Sequence, residues 1–145
     1  MSKATSEPLA LMYVDVDHFK QINDSHGHAV GDALLIEVAN RLRALMRKSD
    51  IVARLGGDEF VVVTERVVDP VIATKLAAKI LASVQRPFVV DAGKAITLRV
   101  TASIGIAFYC HSVPATEHVL READSMLYLA KNGGRNQYLM APWPR

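Results

Sequence analysis

The sequence predicts an α/β domain of the α+β sandwich type, in which helices flank a mainly antiparallel sheet. Segments whose apolar residues recur at helical spacing alternate with short runs that are rich in β-branched residues. Two of these runs flank a Gly-Gly dipeptide, which is typical of a tight hairpin. Because 145 residues is a usual size for one domain, we expect a single hydrophobic core.

The first half of the chain contains a strand, a helix and a hairpin, in that order. The hairpin turns at Gly56-Gly57, where glycine permits positive φ values. Asp32 precedes the first apolar residues of the helix and is a suitable N-cap for it. The pattern predicts a strand over residues 9–14, a helix over residues 32–46, and hairpin strands over residues 51–55 and 60–64.

The second half adds two helices and the remaining strands. We expect one domain over residues 9–140, with an N-terminal tail of residues 1–8 and a loose C-terminal tail of residues 141–145. Asn132-Gly133-Gly134 ends the last helix. The predicted elements are a helix over residues 71–84, strands over residues 88–90 and 96–109, a helix over residues 117–131 and a closing edge strand over residues 137–140.

Composition excludes several classes of protein. No apolar run reaches the roughly 20 residues that a membrane-spanning helix needs, and residues 1–8 lack the apolar stretch of a secretory signal. Cys110 is the only cysteine, so no internal disulfide forms and a cytoplasmic location is expected. The formal net charge of +2 is too small to indicate a nucleic-acid surface, although it permits a small polyanionic ligand.

Four acidic residues stand at positions that suit metal chemistry. Asp15 and Asp17 follow the first strand, and Asp58 and Glu59 follow the Gly-Gly turn. Carboxylate oxygens suit Mg²⁺ that is bound together with substrate phosphates. Each pair alone is also typical of an ordinary turn or a solvated strand end. An EF-hand is not expected, because the residues after Asp15 lack the central Gly and the twelfth-position Glu of that loop.

His26 and His28 raise the alternative of a zinc site. Zinc in proteins is held by three or four spaced ligands, and neither a nearby Cys nor a third spaced ligand accompanies this pair. We therefore interpret both histidines as loop residues. The apolar stripe of the last predicted helix likewise indicates core packing rather than a cofactor site.

Short motifs spread along the chain carry more specific information than composition does. They are Asp15-Val16-Asp17-His18-Phe19-Lys20, Asn23-Asp24, Gly27-His28, Gly31-Asp32, Arg54-Leu55-Gly56-Gly57-Asp58-Glu59-Phe60, Ala102-Ser103-Ile104-Gly105, Ala123-Asp124, Leu127-Tyr128, Ala130-Lys131 and Gly134-Arg135-Asn136. Together these motifs resemble the GGDEF family, the catalytic domains of bacterial diguanylate cyclases, over nearly all of residues 9–140.

The resemblance implies a palm-like fold, similar to those of nucleotide cyclases and polymerases. It also implies an enzyme that condenses two GTP molecules into cyclic di-GMP and releases two pyrophosphates, with Mg²⁺ or Mn²⁺ as cofactor. Metal ions that bridge a triphosphate stabilise the charge that develops as a 3′-hydroxyl attacks the α-phosphorus. Each subunit would bind one GTP, so the expected active unit is a homodimer.

By position in the motifs, the resemblance implies a set of metal ligands. Asp15 and Asp58 would bind metal through their side chains, and Val16 through its backbone carbonyl. Glu59 would help a second metal or accept a proton. The Gly56-Gly57 dipeptide completes the catalytic turn, because glycine lets the backbone approach phosphates without a Cβ clash.

The resemblance also implies the substrate contacts. Asn23 and Asp32 correspond to the pair that reads guanine, and capping remains the alternative role for Asp32. Cations offset the charge of a triphosphate, and Arg can bind two of its oxygens at once. A solvated surface position is the alternative for each such cation. The residues that match positions at the triphosphate are Lys20, Lys131 and Arg135, and Phe19 is placed with them among the substrate contacts.

Arg47 and Asp50 match the Arg-x-x-Asp site at which dimeric product inhibits members of the family. Arg can donate two hydrogen bonds to the O6 and N7 edge of guanine, and Asp can accept from the Watson–Crick edge. The alternative is a cationic residue at a helix C-terminus, where the helix dipole favours positive charge. We expect allosteric product inhibition through these two residues.

The chain departs from the family pattern at two points. An upstream stretch resembling Asp-x-Leu-Thr-Gly-Leu-x-Asn-Arg does not precede Leu9, so we expect a fragment of a larger signalling protein. A further inhibitory arginine after the hairpin is not evident, and Lys79 is the nearest candidate.

A catalytically silent module that binds GTP or cyclic di-GMP is the main alternative function. The intact Gly56-Gly57-Asp58-Glu59-Phe60 motif argues against it, because inactive relatives often carry altered motifs. A purely structural oligomerisation domain would leave the carboxylate cluster unexplained.

Overall fold

A computed structural model describes residues 8–110 and 116–143 of the chain. Its helices are α1 (Phe19–His26), α2 (His28–Ala44), α3 (Pro70–Gln85) and α4 (Thr116–Asn132). Its strands are β1 (Leu9–Val16), β2 (Ile51–Gly56), β3 (Glu59–Thr64), β4 (Phe88–Asp91), β5 (Ala95–Leu98), β6 (Ala102–Tyr109) and β7 (Gln137–Met140).

The main sheet has the strand order β2-β3-β1-β6-β7, and β4 pairs with β5 in a separate two-stranded ribbon. β1 lies at the centre and runs antiparallel to both β3 and β6. β7 is the edge strand next to β6 and is parallel to it. The predicted fold class, a mainly antiparallel sheet flanked by helices, is confirmed, and so is the closing edge strand.

Helices cover both faces of this sheet. Successive residues of β1 point to opposite faces, as the period of a strand requires. Met12 and Val14 belong to the larger core, which also contains Leu34 of α2 and Ile80 of α3. Leu11 belongs to the smaller core, together with residues of β6 and α4. The carboxyl end of β1 therefore lies between two packed layers, where its backbone is held in a fixed position.

Arg41 joins two of the helices on the larger core. From α2, its guanidinium donates hydrogen bonds to the carbonyl oxygens of Ser83 and Arg86, at 2.6 Å and 2.7 Å. The guanidinium carbon also lies 3.4 Å from the centre of the Phe88 ring. These carbonyls belong to the end of α3, where the last helical carbonyls lack partners within the helix. Arg41 thus provides hydrogen bonds for the free carbonyl groups at the end of α3 and fixes this end of the helix against α2.

Two sequence predictions of helix structure are corrected. The segment Phe19–His26 forms α1, which the periodicity did not predict. α2 begins at His28 after the N-cap Gly27, so Asp32 lies in the second turn and does not cap the helix. The interpretation of Asp32 as an N-cap is therefore wrong. The physical reason is Gly27, whose φ of 92° separates the two helices before Asp32 is reached.

The predicted strand over residues 96–109 is also corrected, because it forms two strands in different sheets. β5 pairs with β4, whereas β6 pairs with β1 and β7. The chain leaves strand conformation between them, at residues 99–101. A continuous β-prone sequence can therefore be divided when its two ends find different partners.

Residues 141–143 of the expected loose C-terminal tail are packed against the fold. Ala141 is buried, and its N–H donates to the carbonyl oxygen of Ile106 at 2.8 Å. The ring of Trp143 packs edge-on against Phe108, with 4.8 Å between the ring centres. Residues 1–7 and 144–145 of the expected tails lie outside the described residues. Within residues 8–110 and 116–143, no helix is long and apolar enough to cross a membrane.

Candidate active site

The sheet register brings the end of β1 next to the tip of the β2–β3 hairpin. Asp15 pairs with Glu59 across the sheet. The N–H of Val16 donates to the carbonyl oxygen of Asp58 at 3.2 Å. Acidic residues that are more than 40 positions apart in sequence therefore meet at one end of the central strands. The structure thus brings together Asp15, Val16, Asp58 and Glu59, the residues named from the sequence as candidate metal ligands.

The hairpin turn leaves its backbone accessible. Gly57 has a φ of 25°, and its carbonyl oxygen accepts a hydrogen bond from Arg54 Nε at 3.0 Å. A Cβ atom built on Gly56 or on Gly57 would meet no atom within 4 Å. The space beside the turn is therefore open.

Asp15 is the most deeply buried carboxylate at this position. The residue is 3% exposed, and its Oδ2 forms an ion pair with Lys131 Nζ. Its Oδ1 is buried without a hydrogen-bond partner. Burial raises the pKa of Asp15 to about 6, helped by the nearby charge of Asp58, although Lys131 acts in the opposite direction. A buried acceptor without a partner, beside a second carboxylate, is an environment that a cation would stabilise.

Lys131 shows the complementary effect. Burial alone would lower the pKa of this ammonium group, but the hydrogen bond and the charge of Asp15 outweigh burial and raise it. Glu59 and Asp58 add to the same effect. Lys131 is therefore charged at neutral pH and lies within the field of all three carboxylates.

A cavity of about 300 Å³ opens at this cluster. Both signs of charge line it, which suits a ligand that carries a metal ion and an anion together. Within the described part of the chain, no group of three or more His, Cys, Asp or Glu side chains is arranged to hold a metal ion. Mg²⁺ is commonly bound by one or two carboxylates together with substrate phosphates and water. The lining residues are Asp15, Val16, Asp17, His18, Phe19, Lys20, Gln21, Asp58, Lys131 and Arg135.

Asp17 has a structural role that the sequence did not reveal. Its carboxylate accepts hydrogen bonds from Thr101 Oγ1 at 2.6 Å, Ser103 Oγ at 2.7 Å and the N–H of Asn136 at 3.1 Å. The side chain is buried, and both of its oxygens have partners. Asp17 therefore ties β1 to the start of β6 and to the loop after α4. Its inclusion among the metal-binding candidates is corrected.

The loop after α4 is held in an unusual conformation. Gly134, Arg135 and Asn136 have successive positive φ values of 116°, 63° and 49°. Left-handed conformation is uncommon for residues other than glycine and needs support from surrounding contacts. Asp17 and Gln85 provide it, because Gln85 Nε2 donates to Asn136 Oδ1 at 2.8 Å. The result places Arg135 at the wall of the cavity.

The predicted guanine-reading residues lie on the neighbouring helices. Asn23 belongs to α1 and the exposed Asp32 to α2, and neither lines the 300 Å³ cavity. Asn23 Oδ1 is buried without a hydrogen-bond partner. A Cβ on Gly31 would stand 1.8 Å from that oxygen, so glycine at this position leaves the room that the Asn23 side chain occupies. The amide of Asn23 therefore keeps unused hydrogen-bonding capacity beside the junction of α1 and α2.

A larger cavity, of about 580 Å³, borders the first and shares Asp17, His18 and Gln21 with it. It extends along α1 to His26 and does not include Asp15 or Asp58. Both carboxylate oxygens of Asp17 already accept hydrogen bonds from the protein. The larger cavity therefore has no carboxylate at the end of β1 that is free to bind a ligand. The smaller cavity, in contrast, is lined by both Asp15 and Asp58. His26 and His28 are exposed, but the interpretation of them as loop residues is corrected, because His26 ends α1 and His28 begins α2.

The predicted inhibitory residues form a separate, ordered cluster. The Asp50 side chain is 3% exposed and that of Arg47 is 55% exposed. Asp50 Oδ2 accepts from the N–H of Arg47 at 2.9 Å, and Arg47 Nη2 donates to Thr64 Oγ1 and to the carbonyl oxygen of Glu65, at 2.9 Å and 2.8 Å. Asp50 thus anchors the backbone of Arg47, and both residues line a cavity of about 480 Å³.

The alternative role for Arg47, as a cation at a helix C-terminus, is not supported by these contacts. α2 ends at Ala44, and the partners of the Arg47 side chain lie in the loop at Asp50 and at the end of β3. Lys79 is exposed on α3 and does not line the same cavity. The cavity is lined instead by Arg43, Met46, Arg47, Lys48, Asp50, Ile51 and Val52.

Comparison with known proteins identifies related sequences and structures. A sequence model of the family described as diguanylate cyclase, GGDEF domain, matches residues 1–137. The bifunctional diguanylate cyclase/cyclic di-GMP phosphodiesterase MucR of Pseudomonas aeruginosa is 43% identical over 129 residues, which is 89% of this chain and 18% of MucR. The diguanylate cyclase TpbB of the same species is 40% identical over 135 residues, which is 93% of this chain and 31% of TpbB.

Solved structures show the same architecture. The crystal structure of the TpbB GGDEF domain matches with a TM-score of 0.89 and 38% identity, and covers 99% of this chain and 88% of that chain. The GGDEF domain of DgcB from Caulobacter crescentus, solved in complex with cyclic di-GMP, matches with a TM-score of 0.85 and 27% identity, and covers 96% of this chain and 81% of that chain. The chain thus spans less than a third of the length of MucR and of TpbB.

Proposed function

Because the chain belongs to the GGDEF domain family of diguanylate cyclases, we propose that it condenses two GTP molecules into cyclic di-GMP and two pyrophosphates. The observation that carries the proposal is the meeting of Asp15 and Asp58 in a cavity that Lys20, Lys131 and Arg135 also line. Carboxylates for a metal ion and cations for a triphosphate are the two requirements of nucleotidyl transfer with a metal-bound nucleotide.

The residues of the cavity fit Mg²⁺ or Mn²⁺. Asp15 and Asp58 supply side-chain oxygens, Val16 supplies a backbone carbonyl, and Glu59 lies beside them as a second-metal ligand or proton acceptor. The unpartnered Oδ1 of Asp15 is the specific observation in favour of a cation here. When bound, the metal offsets charge on the triphosphate and on the departing pyrophosphate.

Residues of this chain would orient the triphosphate. Lys131 and Arg135 approach from the end of α4 and the following loop, and Lys20 from the first turn of α1. The N–H groups of Phe19 and Lys20 stand at the start of α1, where helix geometry leaves the first four without intrahelical acceptors. We assign Phe19 this backbone role, because its side chain is 8% exposed and belongs to the core. Gly56 and Gly57 leave room for phosphate next to the hairpin.

Guanine would lie beside α1 and α2, in contact with Asn23 and Asp32. A carboxylate accepts hydrogen bonds from guanine N1–H and from the exocyclic amine, and adenine lacks this pattern of donors. Since Asp32 does not cap α2, its exposed carboxylate is available for such contact. The unused capacity of the Asn23 amide supports the same position for the base.

Each step of the reaction forms a bond between the 3′-oxygen of one nucleotide and the α-phosphorus of the other, and breaks the bond from that phosphorus to pyrophosphate. The proton of the 3′-hydroxyl passes to Glu59 or to water. The cavity of one chain holds one triphosphate in this proposal. The second nucleotide must come from a second copy, so the active species is a homodimer with two cavities facing each other. Proximity of this kind supplies much of the catalysis in phosphoryl transfer.

The proposal is tested with the purified chain, GTP and Mg²⁺, followed by chromatography of the nucleotides. We expect cyclic di-GMP from the parent chain and a decrease of more than about 100-fold for Asp58→Ala, because the metal loses a ligand and the triphosphate loses its charge compensation. Asp91→Ala, which removes an exposed carboxylate on β4, is the matched control and should retain parent activity. Parent-like turnover by Asp58→Ala would show that the metal assignment is incorrect.

A silent module that binds cyclic di-GMP is the second candidate function. The ordered Arg47 cluster and its 480 Å³ cavity support binding of product independently of catalysis. The DgcB structure in complex with cyclic di-GMP shows that a relative with 27% identity binds this molecule. Binding of cyclic di-GMP without any product from GTP would favour this function. For the cyclase, we propose that the same cluster mediates feedback inhibition.

A further inference from the structure

We propose that Lys131 is an internal counterion of the metal site: it occupies Asp15 while no divalent ion is bound, and it releases Asp15 to the metal and turns to the triphosphate when both arrive. The inference rests on the proposed function and adds a coupling between metal and nucleotide binding. Its basis is the pairing of Lys131 with the same carboxylate that the metal requires.

The need for a counterion follows from the burial of Asp15. A carboxylate that is 3% exposed has lost most of its hydration, and Asp58 adds like charge beside it. An unpaired buried charge is strongly destabilising, so the metal-free fold requires a cation at this point. Lys131 is the cation that the structure places there.

The pairing is incomplete, which makes it suitable for exchange. The ammonium of Lys131 contacts Oδ2, whereas Oδ1 remains without a hydrogen-bond partner. A single positive charge also leaves excess negative charge where Asp15, Asp58 and Glu59 converge. A divalent ion that binds oxygen satisfies this cluster better than an ammonium group does.

The side chain of Lys131 can move away from Asp15. Its side chain is 34% exposed, compared with 5% for Asp15, and it enters from the last turn of α4 at the edge of the cavity. A lysine ammonium sits on a flexible four-carbon stem, so a change of rotamers moves the charge without moving the helix. The cavity that Lys131 lines is the one proposed for the triphosphate, which offers a new anionic partner within reach.

The exchange couples the two ligands. A metal ion that binds alone must displace Lys131 from Asp15 and leave the ammonium unpaired, so its affinity is lowered. A triphosphate that binds together with the metal pairs with the displaced Lys131, so each ligand strengthens the other. Free metal therefore binds weakly, and the metal–nucleotide complex binds well.

The test measures Mn²⁺ binding to the full chain by electron paramagnetic resonance, with and without the unreactive analogue α,β-methylene GTP. Without nucleotide, Lys131→Met should bind Mn²⁺ roughly tenfold more tightly than the parent, because the Lys131 ammonium no longer competes for Asp15. The analogue should strengthen Mn²⁺ binding less in Lys131→Met than in the parent. Lys20→Met is the matched control: it removes an exposed charge from the same cavity and should change Mn²⁺ affinity without nucleotide by less than about twofold.

A second variant guards against misfolding of the first. Lys131→Arg retains a cation that can bind a carboxylate through two N–H groups, so it should bind Mn²⁺ no more tightly than the parent. The inference is overturned if Lys131→Met binds Mn²⁺ no more tightly than the parent, if Lys20→Met gains as much, or if Lys131→Arg gains tenfold.

Failure of this inference is distinguishable from failure of the proposed function. If the parent chain makes cyclic di-GMP but Lys131→Met binds Mn²⁺ no more tightly than the parent, the proposed function holds and the counterion exchange is refuted. If Lys131→Met binds Mn²⁺ more tightly but the parent chain makes no cyclic di-GMP, the counterion exchange is supported and the proposed cyclase activity is refuted. A parent chain that binds no Mn²⁺ even with the analogue overturns both.

Discussion

At the scale of single residues, the two aspartates that follow each other closely at the end of β1 have opposite roles. Asp15 faces the cavity with one unpartnered oxygen, and Asp17 faces the protein with both oxygens occupied. The difference arises from their neighbours, because Asp15 lies within β1 opposite Glu59 of the hairpin, whereas Asp17 follows the end of β1 next to the hydroxyls of Thr101 and Ser103. Asp15 therefore has an oxygen that can bind a ligand, whereas Asp17 stabilises the fold.

Replacement of Asp17 tests this division. Asp17→Ala should destabilise the chain by roughly 3 kcal/mol, because the hydroxyls of Thr101 and Ser103 and the N–H of Asn136 lose their acceptor. Thermal melting measures the effect, and Asp24→Ala, an exposed carboxylate on α1, is the control. Binding of the GTP analogue should also weaken, since the loop that carries Arg135 loses its support. A melting temperature equal to that of the parent would refute the structural role.

The sequence could indicate which residues hold charge at the site, but not how they pair. Asp15, Asp58, Lys131 and Arg135 were named from motifs, and the structure brings them to one cavity. The bond from Asp17 to Asn136 and the pair of Asp15 with Lys131 join residues more than 100 positions apart. Such pairs depend on the register of β1 with β6 and on the packing of α4, which no local pattern reports.

At the scale of elements, the contact of α4 with β6 positions the cationic side of the site. A Cβ built on Gly105 would lie 2.2 Å from the carbonyl oxygen of Ala123 and 2.3 Å from the backbone nitrogen of Leu127. The helix backbone therefore rests directly on the strand at this glycine. Lys131 follows one turn later, so its position depends on this close approach.

Two glycine substitutions separate packing from chemistry. Gly105→Ala should cost about 1–3 kcal/mol, because α4 must move away from β6. Gly56→Ala, by contrast, meets open space and should change stability by less than about 0.5 kcal/mol, while it lowers turnover by crowding the phosphates. Chemical denaturation and the cyclase assay measure the two effects. Equal stability of Gly105→Ala and the parent would contradict the packing described for α4.

Elements with a strong pattern were predictable, and elements that depend on partners were not. The predicted helix over residues 71–84 corresponds to α3, and the hairpin strands correspond to β2 and β3. α1 was missed because its eight residues are mostly polar and only Phe19 is buried. The division of residues 96–109 was missed because β5 finds its partner in β4 rather than in the main sheet.

At the scale of the whole molecule, the two proposed ligand sites lie at different places on one sheet. The cavity proposed for catalysis lies at the carboxyl end of β1, and the Arg47 cluster contacts Thr64 at the far end of β3. β3 runs antiparallel to β1, so its residues 59 and 64 stand at opposite ends of the same pairing. Product bound at Arg47 would therefore not occupy the catalytic cavity, and inhibition would act through the arrangement of two chains.

Arg47 is the residue through which to test product inhibition. Arg47→Ala should weaken binding of cyclic di-GMP by roughly 5- to 150-fold and relieve inhibition, while GTP turnover without product stays near that of the parent. Lys48→Ala removes another exposed charge from the same cavity and is the control. Calorimetry at fixed salt and metal concentration measures the affinities. If Arg47→Ala and the parent bind product equally, the regulatory site is not at Arg47.

The central place of β1 also affects how the chain reaches this structure during synthesis. β1 precedes every other strand of the sheet, yet one of its edges pairs with β6, where Val16 meets Ala102. A ribosome adds about 5–20 residues per second, so this edge waits for seconds with its N–H and C=O groups unpaired. An exposed strand edge can pair with another nascent chain. Slow translation before residue 102 therefore increases the exposure of this protein to aggregation, and fast translation through that segment protects it.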